Sequence, residues 1–273
     1  MNKCKITALC NQKGGVGKTT TAVNLGIGLA REGKKVLVVD ADAQASLSLS
    51  LGCAKPDDLP CTLTELMQSC INDKPLNYSD AILHHAEGID LIPANIELAG
   101  MEMTLVNVMS RERIIKECIE PLRPRYDHIL IDCMPSLGQL TLNSLAASDS
   151  VIIPLQPAFL SVKGMDMLLN TVNKVRRQIN PGLKIDGLLF TMVDSRTNEA
   201  REVMATLRGY YGSSIRIFDT EIPYSVRAAE TSSRGMSIFA HDKNGKVADA
   251  YERLSKEVLS LGQRERLRTD PLR

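Results

Sequence analysis

The stretch Gln12-Lys13-Gly14-Gly15-Val16-Gly17-Lys18-Thr19-Thr20 decides the fold. An apolar run, residues 6–10, precedes it, and a segment with helical apolar spacing, residues 19–31, follows. Strand, glycine-rich loop and helix in that order make a cradle for phosphate. Glycines let the backbone curl so that successive N–H groups point inward. The helix beginning near Lys18 adds its positive N-terminal end. Lys18 brings a point charge to the β- and γ-phosphates, and the Thr19 hydroxyl completes the shell of a Mg²⁺ ion. Gly14, Gly15, Val16, Gly17 and Thr20 supply the remaining backbone of the nucleotide-binding loop. The pattern G-x-x-x-x-G-K-[ST] departs at one position, where Gln12 replaces the first glycine.

Outward from the loop, further short apolar runs lie at 36–39, 89–92, 129–131, 151–155 and 188–192, with a weaker one at 215–218. They are apolar throughout rather than alternating, as strands buried on both faces are. Helical patterns separate them. The first, 19–31, stops at Gly33, and a second, 164–179, stops before Pro181. In the last, Val247, Tyr251, Leu254, Val258 and Leu261 fall on one face. Residues 53–80 read as an irregular excursion with a short helix, and 263–273 as a polar, frayed tail. This alternation predicts an α/β fold: a doubly wound, mainly parallel sheet with helices on both faces, forming a single domain over 1–262.

Two acidic segments follow strands. Residues 36–39 deliver Asp40 and Asp42, and 129–131 deliver Asp132. Carboxylates beside a triphosphate can serve Mg²⁺ and the attacking water. An apolar strand ending in Asp, downstream of a phosphate loop, is a Mg²⁺-holding pattern.

The 273 residues carry a net charge of +1, with 44% hydrophobic and 24% charged residues. No large basic excess exists, so a nucleic-acid contact would have to come from a local patch. No 18-residue apolar run predicts a membrane span, and residues 1–10 do not read as a signal peptide. Seven cysteines without C-x-x-C spacing argue for reduced thiols rather than a zinc site or disulfide framework. His84, His85, His128 and His241 show no ligand spacing.

Lys13, a second lysine at the mouth of the loop, makes the segment resemble the deviant Walker A motif, K-G-G-x-G-K-[ST], of the ParA/MinD superfamily of P-loop nucleoside triphosphatases. The resemblance implies ATP and Mg²⁺ as ligands, with Lys13 acting across a homodimer on the partner's phosphates, much as an arginine finger does. Asp40-Ala41-Asp42-Ala43-Gln44 resembles the family's D-x-D-P-Q segment, with Ala43 at the usual proline; Asp42 matches the residue that positions water. Asp132-Cys133-Met134-Pro135-Ser136-Leu137-Gly138 resembles D-x-P-P-S-L-G, with Met134 as a departure. The implied catalytic set is Lys13, Lys18 and Asp42, and the implied metal set is Thr19, Asp42 and Asp132.

The match covers about residues 6–258 and is closest to partitioning ATPases of the ParA/Soj type. It implies an ATP-dependent sandwich dimer that binds double-stranded DNA without sequence preference, a ParB-type stimulating protein, and a cytoplasmic, nucleoid-associated location. Arg196 and Arg227 match positions that contact the DNA backbone, and Met192 and Pro223 match positions beside the adenine. Tyr224 and Ser225 stand where relatives often have Arg and Asn, which removes positive charge. No helix-turn-helix segment precedes the loop, so operator binding is not expected.

The same fold could instead position a protein cargo, or sit at a membrane as MinD does. The membrane role needs a basic amphipathic C-terminal helix. The tail offers only Leu267, Pro271 and Leu272, with Glu265 and Asp270 among its arginines, so no membrane partner is expected. A nitrogenase-type iron protein would need cluster-forming cysteines, and a bacterial tyrosine kinase would need a tyrosine-rich tail.

Overall fold

Asp40 and Asp132 end two strands that lie side by side, and the sheet that pairs them organises the whole molecule. The computed structural model describes residues 4–158 and 161–269. Among these, seven strands form one sheet: β1 (Lys5–Leu9), β2 (Val36–Ala41), β3 (Leu83–His84), β4 (Asp90–Ile92), β5 (His128–Cys133), β6 (Ser150–Leu155) and β7 (Lys184–Phe190). Their spatial order is β3-β4-β2-β5-β1-β6-β7. Every pair is parallel except the short edge hairpin β3·β4. The register sets Leu9 of β1 and Asp40 of β2 on either side of Asp132 in β5.

The helices are α1 (Lys18–Arg31), α2 (Ser46–Ser50), α3 (Leu63–Ile71), α4 (Tyr78–Ala81), α5 (Leu98–Leu105), α6 (Ile114–Ile119), α7 (Gln139–Ala147), α8 (Ser161–Gln178), α9 (Asn198–Tyr211), α10 (Val226–Arg234), α11 (Ile238–His241) and α12 (Lys246–Thr269). They cover both faces. Alternate strand residues point to opposite sides. Ile6, Ala8, Leu37 and Val39 pack with Leu66, Ile115, Leu145 and Leu168, so α3, α6, α7 and α8 lie on one face. Val36, Val38, Leu130 and Ile152 pack with Leu25, Ile27, Tyr251 and Leu254, so α1 and α12 lie on the other. A smaller cluster of Phe190, Val203, Met204 and Leu207 seats α9 beyond β7. Every residue of β2 and β6 is buried, which is why these strands carry no polar alternation.

The structure departs from the sequence reading in four places. β7 starts at Lys184, before the apolar run, because Lys184 and Asp186 are polar; Asp186 is buried and receives Lys5 Nζ at 3.0 Å and Ser150 Oγ at 2.8 Å. Residues 215–218 form no strand; Ile217 makes one isolated parallel bridge to Leu188. β3, two residues long, carries too little pattern to read. The last helix continues to Thr269, seven residues into the expected tail, and 270–273 lie outside the described residues, as do 1–3.

Candidate functional site

At the C-terminal edge of the parallel strands, where an open α/β sheet binds ligands, a cleft of about 1040 Å³ opens. The loop after β1 forms one side. Its entry is pinned to β6: the Cys10 amide donates to Ile152 O at 3.2 Å, and the buried Asn11 side chain donates to Pro154 O at 2.8 Å. Asn11 Oδ1 in turn accepts from the Lys13 amide at 3.0 Å. Gly15 and Gly17 hold φ of 70° and 80°, in the left-handed region open to glycine, so the chain doubles back onto the start of α1. Thr191 Oγ1 donates to Val16 O at 2.8 Å and closes the loop against the end of β7. Gly17, Lys18 and Thr19 line the cleft.

The two lysines are held differently. The Lys18 side chain is buried, and its ammonium donates to the Lys13 carbonyl at 3.2 Å, spanning the loop it must serve. The Lys13 ammonium has no hydrogen-bond or ion-pair partner among the described residues, and the side chain is only half-buried. One cation is built into the loop; the other is left available at its mouth.

Burial shapes the carboxylates. Asp132 is fully buried at the end of β5, which pushes its pKa up to about 8; neighbouring Asp40 adds to the rise, while Thr19 and Lys18 pull the other way. Thr19 Oγ1 donates to Asp132 Oδ2 at 2.6 Å. The other oxygen, Oδ1, is buried with no hydrogen-bond partner. An unsatisfied carboxylate oxygen in the interior is costly. A hydrated divalent cation beside Thr19 is the kind of group that would satisfy it, so the donor set fits Mg²⁺.

Asp40 is also raised by burial, to about 6, although the amide and hydroxyl of Ser48 both donate to its Oδ2 at 2.8 Å and counter the rise. Its side chain therefore anchors the turn into α2. Asp42 is different: half-buried, it lines the cleft, and its Oδ1 accepts the Gln44 amide at 3.0 Å. Of the two acids after β2, Asp42 is the one turned toward the site.

The far side of the cleft comes from two segments that pair. Val193 and Pro223 form a parallel bridge, with the Val193 amide on Ile222 O at 2.9 Å and the Tyr224 amide on Val193 O at 3.1 Å. Met192 and Pro223 both line the cleft. Tyr224 lines it too, and its ring is largely exposed. Arg196 and Arg227 follow this pairing, three residues past Val193 and four past Pro223. Both side chains are exposed, and each is engaged. Arg196 forms two bonds to Asp194, at 2.9 and 2.8 Å, and Arg227 Nη1 reaches Asp242 Oδ1 at 2.8 Å.

Sequence reasoning missed the brackets of the site: Asn11, Thr191 and the Asp40–Ser48 anchor. Asn11 and Thr191 stood beside residues already singled out, Gln12 and Met192, but a buried polar clamp has no spacing of its own.

Comparison with known proteins finds relatives over nearly the whole chain. A family model described as an AAA domain matches residues 4–185. The sporulation initiation inhibitor protein Soj of Bacillus subtilis is 43% identical over 262 residues, spanning 94% of this chain and 99% of Soj. The chromosome partitioning protein ParA of Myxococcus xanthus is 40% identical over 257 residues, 93% of this chain and 88% of that protein. Among solved structures, cobyrinic acid a,c-diamide synthase of Mycobacterium smegmatis, with bound ATP analog and magnesium, superposes with a TM-score of 0.81 at 36% identity, over 94% of each chain.

Proposed function

Because this chain belongs to the ParA/Soj family of deviant Walker A ATPases, we propose that it couples ATP binding to formation of a sandwich homodimer that holds double-stranded DNA without sequence preference. Hydrolysis, stimulated by a ParB-type protein, then ends the DNA-bound state. The observation that carries the reading is the contrast between the lysines: Lys18 spans its own loop, and the Lys13 ammonium is free to serve a second subunit.

The residues divide the work. The amides of residues 14–20 and the Lys18 ammonium hold the β- and γ-phosphates. Thr19 and Asp132 would hold Mg²⁺, with Asp42 at the same cation; bound there, the ion neutralises charge on the phosphate oxygens. Asp42, at the cleft wall, orients water in line with the γ-phosphate. Lys13 from the partner subunit compensates charge that develops on the phosphoryl oxygens, so turnover requires the dimer. Met192 and Pro223 flank the base.

DNA contact is assigned to Arg196 and Arg227. Their paired segments leave the nucleotide cleft together, which gives the nucleotide a direct backbone route to both side chains. Each arginine must trade a carboxylate partner for a DNA phosphate, an exchange between like hydrogen-bonding geometries. No described helix is long and apolar enough to cross a membrane.

The test is binding of the purified protein to a nonspecific duplex with ATP, with ADP and without nucleotide. Binding confined to the ATP state supports the partitioning reading. No binding in any state, with ATP-dependent dimerisation intact, replaces DNA by a protein cargo.

A further inference from the structure

Cys70, in the last turn of α3, and Cys118, in α6, are 48 residues apart in sequence, yet their sulfurs lie 3.2 Å from each other in an S–H···S contact. Cys70 is partly exposed and Cys118 is buried. The hydrogen bond between them lowers the Cys70 pKa, and together with burial it raises that of Cys118 well above the ordinary thiol range. The other thiols differ. Burial pushes Cys4 up to about 12 and raises Cys53 and Cys61. Cys10 and Cys133 also share a hydrogen bond, but both are sealed in the core beneath the phosphate loop. A partly exposed thiol in contact with a buried second thiol is the arrangement that oxidises selectively and then resolves.

We propose that Cys70 and Cys118 form a hydroperoxide-sensitive dithiol that closes reversibly to a disulfide between α3 and α6. The Cys70 thiolate attacks the peroxide; the O–O bond breaks, and sulfur is oxidised to a sulfenic acid as the peroxide is reduced to water or alcohol. Cys118 sulfur then attacks Cys70 sulfur. The S–S bond forms, the S–O bond breaks, and hydroxide leaves as water with the Cys118 proton. Two thiols and one hydroperoxide thus yield one disulfide, one water and one further water or alcohol. Closing the gap to a bonded ~2.0 Å takes about an ångström of side-chain movement. Neither cysteine lines the nucleotide cleft. The bond would tie α3, which is linked to the loop after β4 by Thr64 Oγ1 donating to Asn95 Oδ1 at 3.0 Å, to α6 on the same face of the sheet.

The experiment treats the purified full chain with stoichiometric hydrogen peroxide, blocks remaining thiols by alkylation and maps the products by mass spectrometry. The expected result is loss of two hydrogens on a Cys70–Cys118 pair, reversal by dithiothreitol, and a melting temperature raised by on the order of 10 °C. In Cys118→Ala, a sulfenic acid trapped by dimedone should accumulate at Cys70. Oxidation that begins at Cys53 or another thiol overturns the proposal. So does build-up of sulfinic acid on Cys70 of the unmodified chain without a disulfide. Both readings come from the unsubstituted protein, so neither depends on whether a variant folds.

Discussion

Asp42 and Asp40 stand two residues apart after the same strand, and their surroundings separate their work. Ser48 engages Asp40 twice, whereas Asp42 keeps an oxygen for the cleft. Asp42→Ala should therefore still bind ATP and accumulate as a dimer, with kcat lowered by ~10²–10⁴-fold, the range for a lost group that handles a proton or positions water. Steady-state turnover and light scattering with ATP check it, and normal turnover sinks the assignment. Lys13→Ala should keep nucleotide affinity, because Lys18 remains in its loop, yet lose ~10³-fold or more in turnover, the scale of a charge supplied across subunits. Mixing Lys13→Ala with Asp42→Ala protein should restore part of the activity if the lysine acts in trans. At this scale the site was legible where chemistry dictates residue type and spacing. Ser48, Thr191 and Asn11 were not legible, since what marks them is burial and a partner far along the chain.

At the scale of elements, the segment leading to Pro223 has no regular structure, so another element must hold it. Glu257 of α12 does so. Its carboxylate accepts from Arg216 Nη2 at 2.8 Å and from the amides of Asp219 and Thr220 at 3.0 and 3.1 Å. Burial alone would raise the Glu257 pKa, but these donors outweigh it and hold it below the ordinary 4.5. A depressed folded value contributes stability that is present above the unfolded pKa and lost as pH falls through the folded one. Thermal melts taken below pH 4.5 should show this loss, and Glu257→Gln should flatten the acid limb while lowering stability at pH 7. An unchanged acid limb would count against the anchor. Residues 215–218 look like a strand in sequence because Ile215, Ile217 and Phe218 are apolar; Phe218 is buried with α12, and Ile215 and Ile217 are partly buried, without the segment joining the ladder beyond one bridge. Apolar runs report burial, and only the pairing partner decides strand from loop.

For the whole molecule, a net charge of +1 means that any DNA affinity is local. Arg196→Ala and Arg227→Ala should each weaken ATP-state DNA binding and reduce the salt slope by about one unit, without changing sequence preference or ATP turnover in the absence of DNA. Binding isotherms over a salt series measure this; an unaltered slope in both variants removes these arginines from the interface. The doubly wound architecture was legible from apolar runs alternating with helices. The strand order, with β1 between β5 and β6, was not, because nothing local in β1 names its neighbours.

The pairing of β2 with β5 places Asp40 directly across from Asp132. Side chains alternate along each strand, so a slip of one residue would turn one of these carboxylates to the opposite face and break the site. Only the correctly assembled sheet can then gain stabilisation from ligand, which accrues to the native state alone. Nucleotide with magnesium should thus act as a selector during folding, raising the yield of refolded protein by withholding its reward from every misregistered competitor.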